Sequence, residues 1–199
     1  METGFATLLL AAALFAATDV DDLFLLVAFF ADPRLRARDV IAGQFLGIGA
    51  LVAASLAVAL LTLAVPLAYV GVLGLVPIGM GIARLVALRK PAQDEAPEGR
   101  GAVRGALAVA AVTVANGGDN LGVYIPLFAV RPAFDIAVII AVFVVMTALW
   151  CVLARALVHH PALGAPIRRH APWLTPLVLI AVGLLVIHDA GTLSLLRGG

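Results

Sequence analysis

Long runs of apolar residues, interrupted by short polar stretches, make up most of this chain. The runs are long enough to cross a bilayer, which takes roughly 20 helical residues. Because lipid offers no partner to an exposed backbone amide, we expect each run to be a helix. The pattern predicts an all-α polytopic membrane protein with six transmembrane helices, at residues 4–30, 40–64, 67–88, 105–129, 134–158 and 173–190.

A different composition marks residues 89–104, where basic and acidic residues, proline and glycine replace the apolar run. This mixture is typical of a flexible loop. The loop divides the chain into a first three-helix repeat, residues 1–88, and a second, residues 105–199. We expect the two repeats to form one membrane domain.

The two halves share a sequence motif. Residues 17–23 read ATDVDDL and residues 115–121 read ANGGDNL, an offset of 98, while LVPI at 75–78 matches LTPL at 174–177, an offset of 99. Because each half holds an odd number of spans, we expect the second copy to be inverted relative to the first. Inverted repeats are typical of secondary transporters, whose sites lie between the repeats near the bilayer midplane. The alternative is chance similarity between apolar helices.

Composition supports the membrane class, since 63% of residues are hydrophobic and 13% are charged, against about 45–50% and about 25% in soluble domains. The net charge of +1 and the lack of a basic stripe argue against a nucleic-acid partner. The single cysteine, Cys151, rules out a thiol pair within the chain. The first apolar segment lacks the basic start of a cleaved signal peptide, so we expect it to be retained.

The positive charges predict an orientation. Of the 13 lysines and arginines, all but Arg131 and Arg197 fall on one side of the six predicted spans. Because basic residues favour the cytoplasmic side, we expect the loop at 89–104 to be cytoplasmic and both termini to lie outside a bacterial inner membrane. Trp150 and Trp173, near span ends, are interpreted as interfacial anchors.

Four carboxylates interrupt the apolar spans. Asp19, Asp21 and Asp22 fall in the middle of the first span, and Asp119 falls in the middle of the fourth. An ionised carboxylate at the bilayer centre costs at least about 2.5–3.5 kcal/mol. No lysine or arginine lies deep in a span, and the nearest, Arg84, can extend toward the cytoplasmic side. Acids without a resident basic partner therefore predict a mobile cation.

Helical spacing groups the polar residues of each copy, because positions i, i+3 and i+4 share one face. One face carries a hydroxyl and two carboxylates, and the other carries two amides and a carboxylate. Facing each other, they would form an oxygen-rich site that suits hard or borderline divalent cations. The alternative for any single member is a structural hydrogen bond between helices. The residues are Thr18, Asp21, Asp22, Asn116, Asp119 and Asn120.

Asp19 is expected to point away from this group, since an ideal helix places it roughly 200° from Asp21. It would join the site only where the helix unwinds, or would act separately as a proton carrier. Gly117 and Gly118 favour unwinding of the fourth span, which would free backbone carbonyls as ligands.

A second-span residue, Gln44, is a candidate for lining the cavity. The flanking Gly43 and Gly47 form a GxxxG pattern, which is typical of close helix packing. Thr113 is expected to bond to its own helix backbone.

Three segments carry a resemblance to a known family: ATDVDDLF at 17–24, GQFLG at 43–47 and VANGGDNLGVYIPLF at 114–128. They resemble the cadmium-resistance transporter family of the lysine-exporter superfamily, and the similarity spans nearly the whole chain. The resemblance implies an inner-membrane protein that exports Cd²⁺, with the motif acids and amides as the cation site. Cadmium is soft, whereas these ligands are hard, so the residues by themselves suggest a Mn²⁺, Mg²⁺ or Ca²⁺ site, and Cd²⁺ is implied by the resemblance alone.

The predicted mechanism is alternating access, in which protons neutralise the carboxylates and release the metal. The sequence lacks an ATP-binding GxxxxGK[ST] motif, so we expect a gradient, most simply of protons, to supply the energy. The expected partners are a divalent cation, protons and the lipid bilayer, with no resident cofactor. The sequence is also compatible with a homo-oligomer. One alternative is a Mg²⁺-dependent membrane-embedded enzyme, which would need basic residues to hold phosphate. Another is an amino-acid exporter, which would need a counter-charge for a carboxylate.

Overall fold

The computed structural model describes residues 2–62, 66–88, 105–159 and 164–192. Across these ranges all regular structure is helical, with no strand, which confirms the all-α prediction for this part of the chain. The predicted loop at 89–104 lies outside the described residues.

The helices follow the predicted apolar runs with changes at their ends. Two of them match the second and fifth predicted spans closely. The last helix begins at Gly164, earlier than the predicted residue 173, so part of the expected loop is helical. In chain order the helices are α1 Glu2–Thr18, α2 Val20–Ala31, α3 Ala37–Leu61, α4 Leu67–Val70, a 3₁₀ turn Gly71–Gly74, α5 Leu75–Ala87, α6 Gly105–Asn116, α7 Gly118–Ala129, α8 Ala133–His159 and α9 Gly164–Asp189.

Two of the predicted spans are broken by a single residue. Asp19 separates α1 from α2 with φ −104° and ψ 19°, and Gly117 separates α6 from α7 with φ −81° and ψ 24°. The span predicted over 4–30 is therefore divided into two helices at Asp19, and the fourth span is divided at Gly117, where unwinding was expected. Hydrogen bonds continue across both breaks, from Asp19 N to Phe15 O and from Gly117 N to Thr113 O, each at 2.9 Å. Each break is a kink that leaves the helical path intact.

The two broken helices pack reciprocally. α1 and α2 lie against α8, α6 and α7 lie against α3, and α5 runs along α9. Each broken helix of one half therefore contacts the long helix of the other half. The close approach expected at the GxxxG pattern is confirmed, since a Cβ on Gly43 would meet Val109 of α6 and one on Gly47 would meet Thr113.

Two helices, α3 and α8, are long and apolar enough to cross a membrane, judged by length and composition alone. The other apolar segments found in the described part span 10–17 residues, among them Pro176–Asp189 within α9. Six spans result only when three groups of helices are each counted as one span: α1 with α2, α4 with the 3₁₀ turn and α5, and α6 with α7. The six-span inverted repeat stays a prediction.

Candidate functional site

The two helix breaks bring the two motif copies together. Polar side chains from either side of the Asp19 break bond to polar side chains from either side of the Gly117 break. The linking bonds join Asp19 to Asn120 and Asp22 to Asn116. The halves of the molecule therefore meet at a polar centre between apolar helices.

Asp19 is the most buried acid of this centre, with no exposed surface. Its Oδ1 accepts a hydrogen bond from Asn120 Nδ2 at 2.9 Å, and its Oδ2 accepts one from the Tyr124 hydroxyl at 3.0 Å. The Thr18 hydroxyl lies 2.9 Å from Oδ2 and 3.1 Å from the Leu14 carbonyl, and donates to one at a time. The prediction that Asp19 points away from the group is wrong, since its carboxylate contacts Asn120 and Thr18, both members of that group.

The backbone at the Asp19 break is held from another helix. Trp150 Nε1 of α8 donates to the Asp19 carbonyl oxygen at 2.6 Å, and Leu23 N donates to the same oxygen at 3.1 Å. Freed carbonyls were expected in the fourth span, at Gly117 and Gly118. There the Gly117 carbonyl oxygen accepts the Leu121 N–H at 3.2 Å, so this oxygen is not freed. Trp150 is buried, so its interpretation as an interfacial anchor is also wrong.

Asp22 is held by two neutral amides. Gln44 Nε2 donates to its Oδ2 at 3.0 Å, and Asn116 Nδ2 donates to its Oδ1 at 2.8 Å. Gln44 Oε1 in turn accepts a hydrogen bond from Thr113 at 2.8 Å, so Thr113 bonds across helices, contrary to expectation. Gln44 on α3 thus orients Asp22, and Thr113 on α6 in turn orients Gln44.

Asp21 lies at the exposed edge of the same network. Asn116 Nδ2 also reaches its Oδ2, at 3.2 Å, so one amide bridges the two neighbouring acids. Its Oδ1 accepts the backbone N–H of the next residue at 3.2 Å. Asp119 repeats this last contact, since its Oδ1 accepts the Asn120 N–H at 3.1 Å.

Asp119 forms an ion pair with Arg84. Nη2 of Arg84, in the last turn of α5, donates to Asp119 Oδ2. The Arg84 side chain is 39% exposed and that of Asp119 is 13% exposed. The prediction that no basic residue pairs with these acids is therefore wrong for Asp119. The physical reason is tertiary, because α5 packs against α7 and the long arginine side chain spans the gap.

One acceptor in the centre is unsatisfied. Asn120 is 2% exposed, and its Oδ1 has no hydrogen-bond partner among the residues that the structure describes. A buried acceptor without a donor is costly, and a bound cation would satisfy it. Within the same described ranges, no three His, Cys, Asp or Glu side chains converge on a point that could hold a metal ion. A cation bound in this arrangement would therefore need amide and hydroxyl oxygens as well as carboxylates.

Sequence reasoning missed three members of this network. Tyr124 carried a usable signal, because it lies four residues after Asn120 and so shares its helix face. Arg84 carried one as well, as a charge inside an apolar run. Trp150 had none, since only the packing of α8 against α1 and α2 brings its indole to the break.

A second polar cluster lies at the end of α9. Arg131 Nη2 contacts Asp189 Oδ2 at 2.9 Å, and Arg131 Nη1 lies 3.8 Å from Asp135 Oδ2. His188 Nδ1 lies 3.4 Å from Asp189 Oδ1 and is largely exposed. These contacts tie the α7–α8 turn to the end of α9.

Comparison with known proteins gives one match. A family model described as cadmium resistance transporter matches residues 15–197, which include both helix breaks and all four central acids. No curated protein and no solved structure matches the chain. Because the match covers nearly the whole sequence, the chain belongs to the cadmium resistance transporter family.

Proposed function

We propose that this protein exports divalent cations, Cd²⁺ first among them, through the polar centre between the two helix breaks. The family is one of cadmium resistance transporters. The observation that carries the proposal is the charge at that centre, where four carboxylates lie in one polar region and, among the described residues, only Asp119 pairs with a guanidinium, that of Arg84. Carboxylates among apolar helices are costly unless they are neutralised or paired, and a bound cation would balance their charge.

A membrane location is supported by the outer surface of the molecule. Only 28% of the most apolar window of α8 is buried, whereas a core helix of a soluble protein would be mostly covered. Phe134, Val145 and Val152 on this helix are each at least 65% exposed. Large exposed apolar faces of this kind suit contact with lipid.

The inverted repeat is supported by two features of the fold. The helix breaks occur at Asp19 and Gly117, which occupy the same position in the aligned motifs. The packing is reciprocal, with each broken helix against the long helix of the other half. In this proposal the breaks lie near the bilayer midplane, as in transporters built from inverted repeats.

The proposed mechanism is alternating access. Cytoplasmic metal enters between the repeats and binds carboxylates of both halves, and the repeats then rock to open the centre outward. Protons replace the metal on the carboxylates, so an inward proton gradient drives export. The kinks at Asp19 and Gly117 are positions where the helices can bend without losing their hydrogen bonds.

The enzyme alternative is weaker. A membrane-embedded Mg²⁺ enzyme acting on a phosphorylated lipid would need basic side chains free to hold phosphate. The basic side chain at the described centre is that of Arg84, and it is engaged with Asp119. The ligands are hard oxygens, so Mn²⁺, Mg²⁺ and Ca²⁺ remain alternative cargoes.

The test is metal flux into liposomes that contain the purified protein, a metal-sensitive dye inside and a pH gradient across the membrane. Asp22→Asn and Asp119→Asn should each reduce Cd²⁺ flux at least about tenfold, since each removes one charge that balances the metal. Asp39→Asn is the matched control, because Asp39 lies near the start of α3 beside Arg38 and should leave flux unchanged.

A folded wild-type protein that moves no metal would refute the transport proposal. Wild-type flux in both Asn variants would show instead that the site is assigned wrongly. Competition of Mn²⁺, Mg²⁺ and Ca²⁺ against Cd²⁺ in the same liposomes would rank the cargoes.

A further inference from the structure

We propose that Arg84 is a built-in competitor of the transported cation: it holds Asp119 when the metal is absent and leaves Asp119 when the metal binds. The inference rests on the proposed transport function and assigns a role to a residue outside the motif acids and amides. It begins from the ion pair between Arg84 Nη2 and Asp119 Oδ2.

Asp119 differs from the other central acids in its partners. Asp19 and Asp22 receive their side-chain hydrogen bonds from neutral groups, such as the amide of Asn120 and that of Gln44. Neutral donors orient a carboxylate but leave its charge available to a cation. Arg84 supplies a full positive charge, and it does so at Asp119 alone among the described contacts.

The pair is placed so that it can open. Arg84 Nη2 bonds one carboxylate oxygen, while the other, Asp119 Oδ1, accepts the short-range N–H of Asn120. The arginine side chain is 39% exposed and lies in the last turn of α5. A long side chain near a helix end can extend its guanidinium toward the aqueous interface, so release does not strand a charge in an apolar environment.

Competition follows from charge, because the guanidinium of Arg84 neutralises Asp119 and repels a divalent cation that approaches the same carboxylate. The apparent affinity for metal is then lowered by the fraction of molecules in which Arg84 occupies the carboxylate. When metal leaves, Arg84 returns and neutralises one acid of the empty carrier. Arg84 therefore weakens equilibrium binding and speeds release.

The experiment combines Cd²⁺ binding at equilibrium to the purified protein with Cd²⁺ flux in liposomes. Arg84→Gln should bind Cd²⁺ about three- to tenfold more tightly, with a lower transport KM and a lower maximal rate. In an Asp119→Asn background the same change should leave affinity unaltered. Arg38→Gln, on an exposed arginine of α3, is the control and should match wild type.

A second measurement uses wild-type protein and does not depend on the folding of a variant. Chemical modification of arginine, followed by mass spectrometry, should proceed faster at Arg84 when Cd²⁺ is added, because the guanidinium is released. The rate at Arg38 should stay constant.

Wild-type protein that binds and transports Cd²⁺, while Arg84→Gln binds it equally or more weakly, would overturn the competitor role and leave the transport proposal intact. The same conclusion would follow if added Cd²⁺ left the rate of Arg84 modification unchanged or lowered it. Wild-type protein that neither binds nor transports Cd²⁺ would overturn both.

Discussion

At the residue scale, the central acids are held mainly by neutral donors directed at them from other helices. Asp19 combines full burial with hydrogen bonds from Asn120 and Tyr124, both on the opposite half of the chain. Charge-assisted hydrogen bonds of this kind are stronger than those between neutral groups. Asp19 therefore joins the two halves as much as it contributes charge to the centre.

Tyr124→Phe tests this structural role. The substitution keeps the ring, which packs against Phe143 at a centroid distance of 4.7 Å, and removes the hydroxyl that donates to Asp19. Loss of one donor to a buried carboxylate should lower stability by about 1–3 kcal/mol. Thermal unfolding in detergent, followed by circular dichroism, measures the change. Tyr69→Phe, on an exposed tyrosine, should melt like wild type, and equal melting of both variants would contradict the prediction.

At the element scale, the position of the site depends on how closely α3 approaches α6. Gly43 and Gly47 remove the side chains that would separate these helices. The close approach lets Gln44 on α3 reach both Asp22 and Thr113. Helix packing and site geometry are thus controlled by the same short segment.

Gly43→Ala should therefore damage both packing and site. A Cβ there would meet the Ala106 carbonyl oxygen and Val109 Cβ, each at 2.5 Å, so α6 must move away. Overpacking of this kind costs about 1–3 kcal/mol, and we expect lower Cd²⁺ flux as well. Gly49→Ala on the same helix meets nothing within 4 Å and should be neutral or slightly stabilising. Similar melting temperatures for the two variants would argue against tight α3–α6 contact.

At the scale of the whole molecule, the proposed orientation follows from the distribution of lysine and arginine. Arg131 and its partners Asp135 and Asp189 would then lie on the outer side. The basic loop at 89–104 would lie in the cytoplasm.

Cysteine labelling tests this orientation. Cys151 is buried and is the only cysteine, so Cys151→Ala provides a background without thiols. In it, a membrane-impermeant maleimide should label Ala133→Cys in intact spheroplasts, since the proposed orientation places Ala133, the first residue of α8, on the outer side. Gln93→Cys should react only after the membrane is opened. The reverse pattern would show that the protein is inserted the other way round.

The acids and amides of the centre could be identified from the sequence, because they are polar residues inside apolar spans. The contacts that these residues make could not be predicted from the sequence. Asp19 was expected to face away, since a regular helix was assumed through it, and the bonds that hold the break come from Trp150 and Tyr124. Aromatic residues in an apolar helix look like ordinary packing until their donor atoms are placed.

The sequence by itself determined that this chain is helical and apolar, that its halves share a motif and that four acids lie between apolar segments. These properties follow from composition and periodicity, which are local. Only the tertiary structure decided that the helix bends at Asp19 and that Arg84 reaches Asp119. Both depend on which helices become neighbours. Because the apolar faces of these helices are similar, no short stretch of sequence determines which of them pack together.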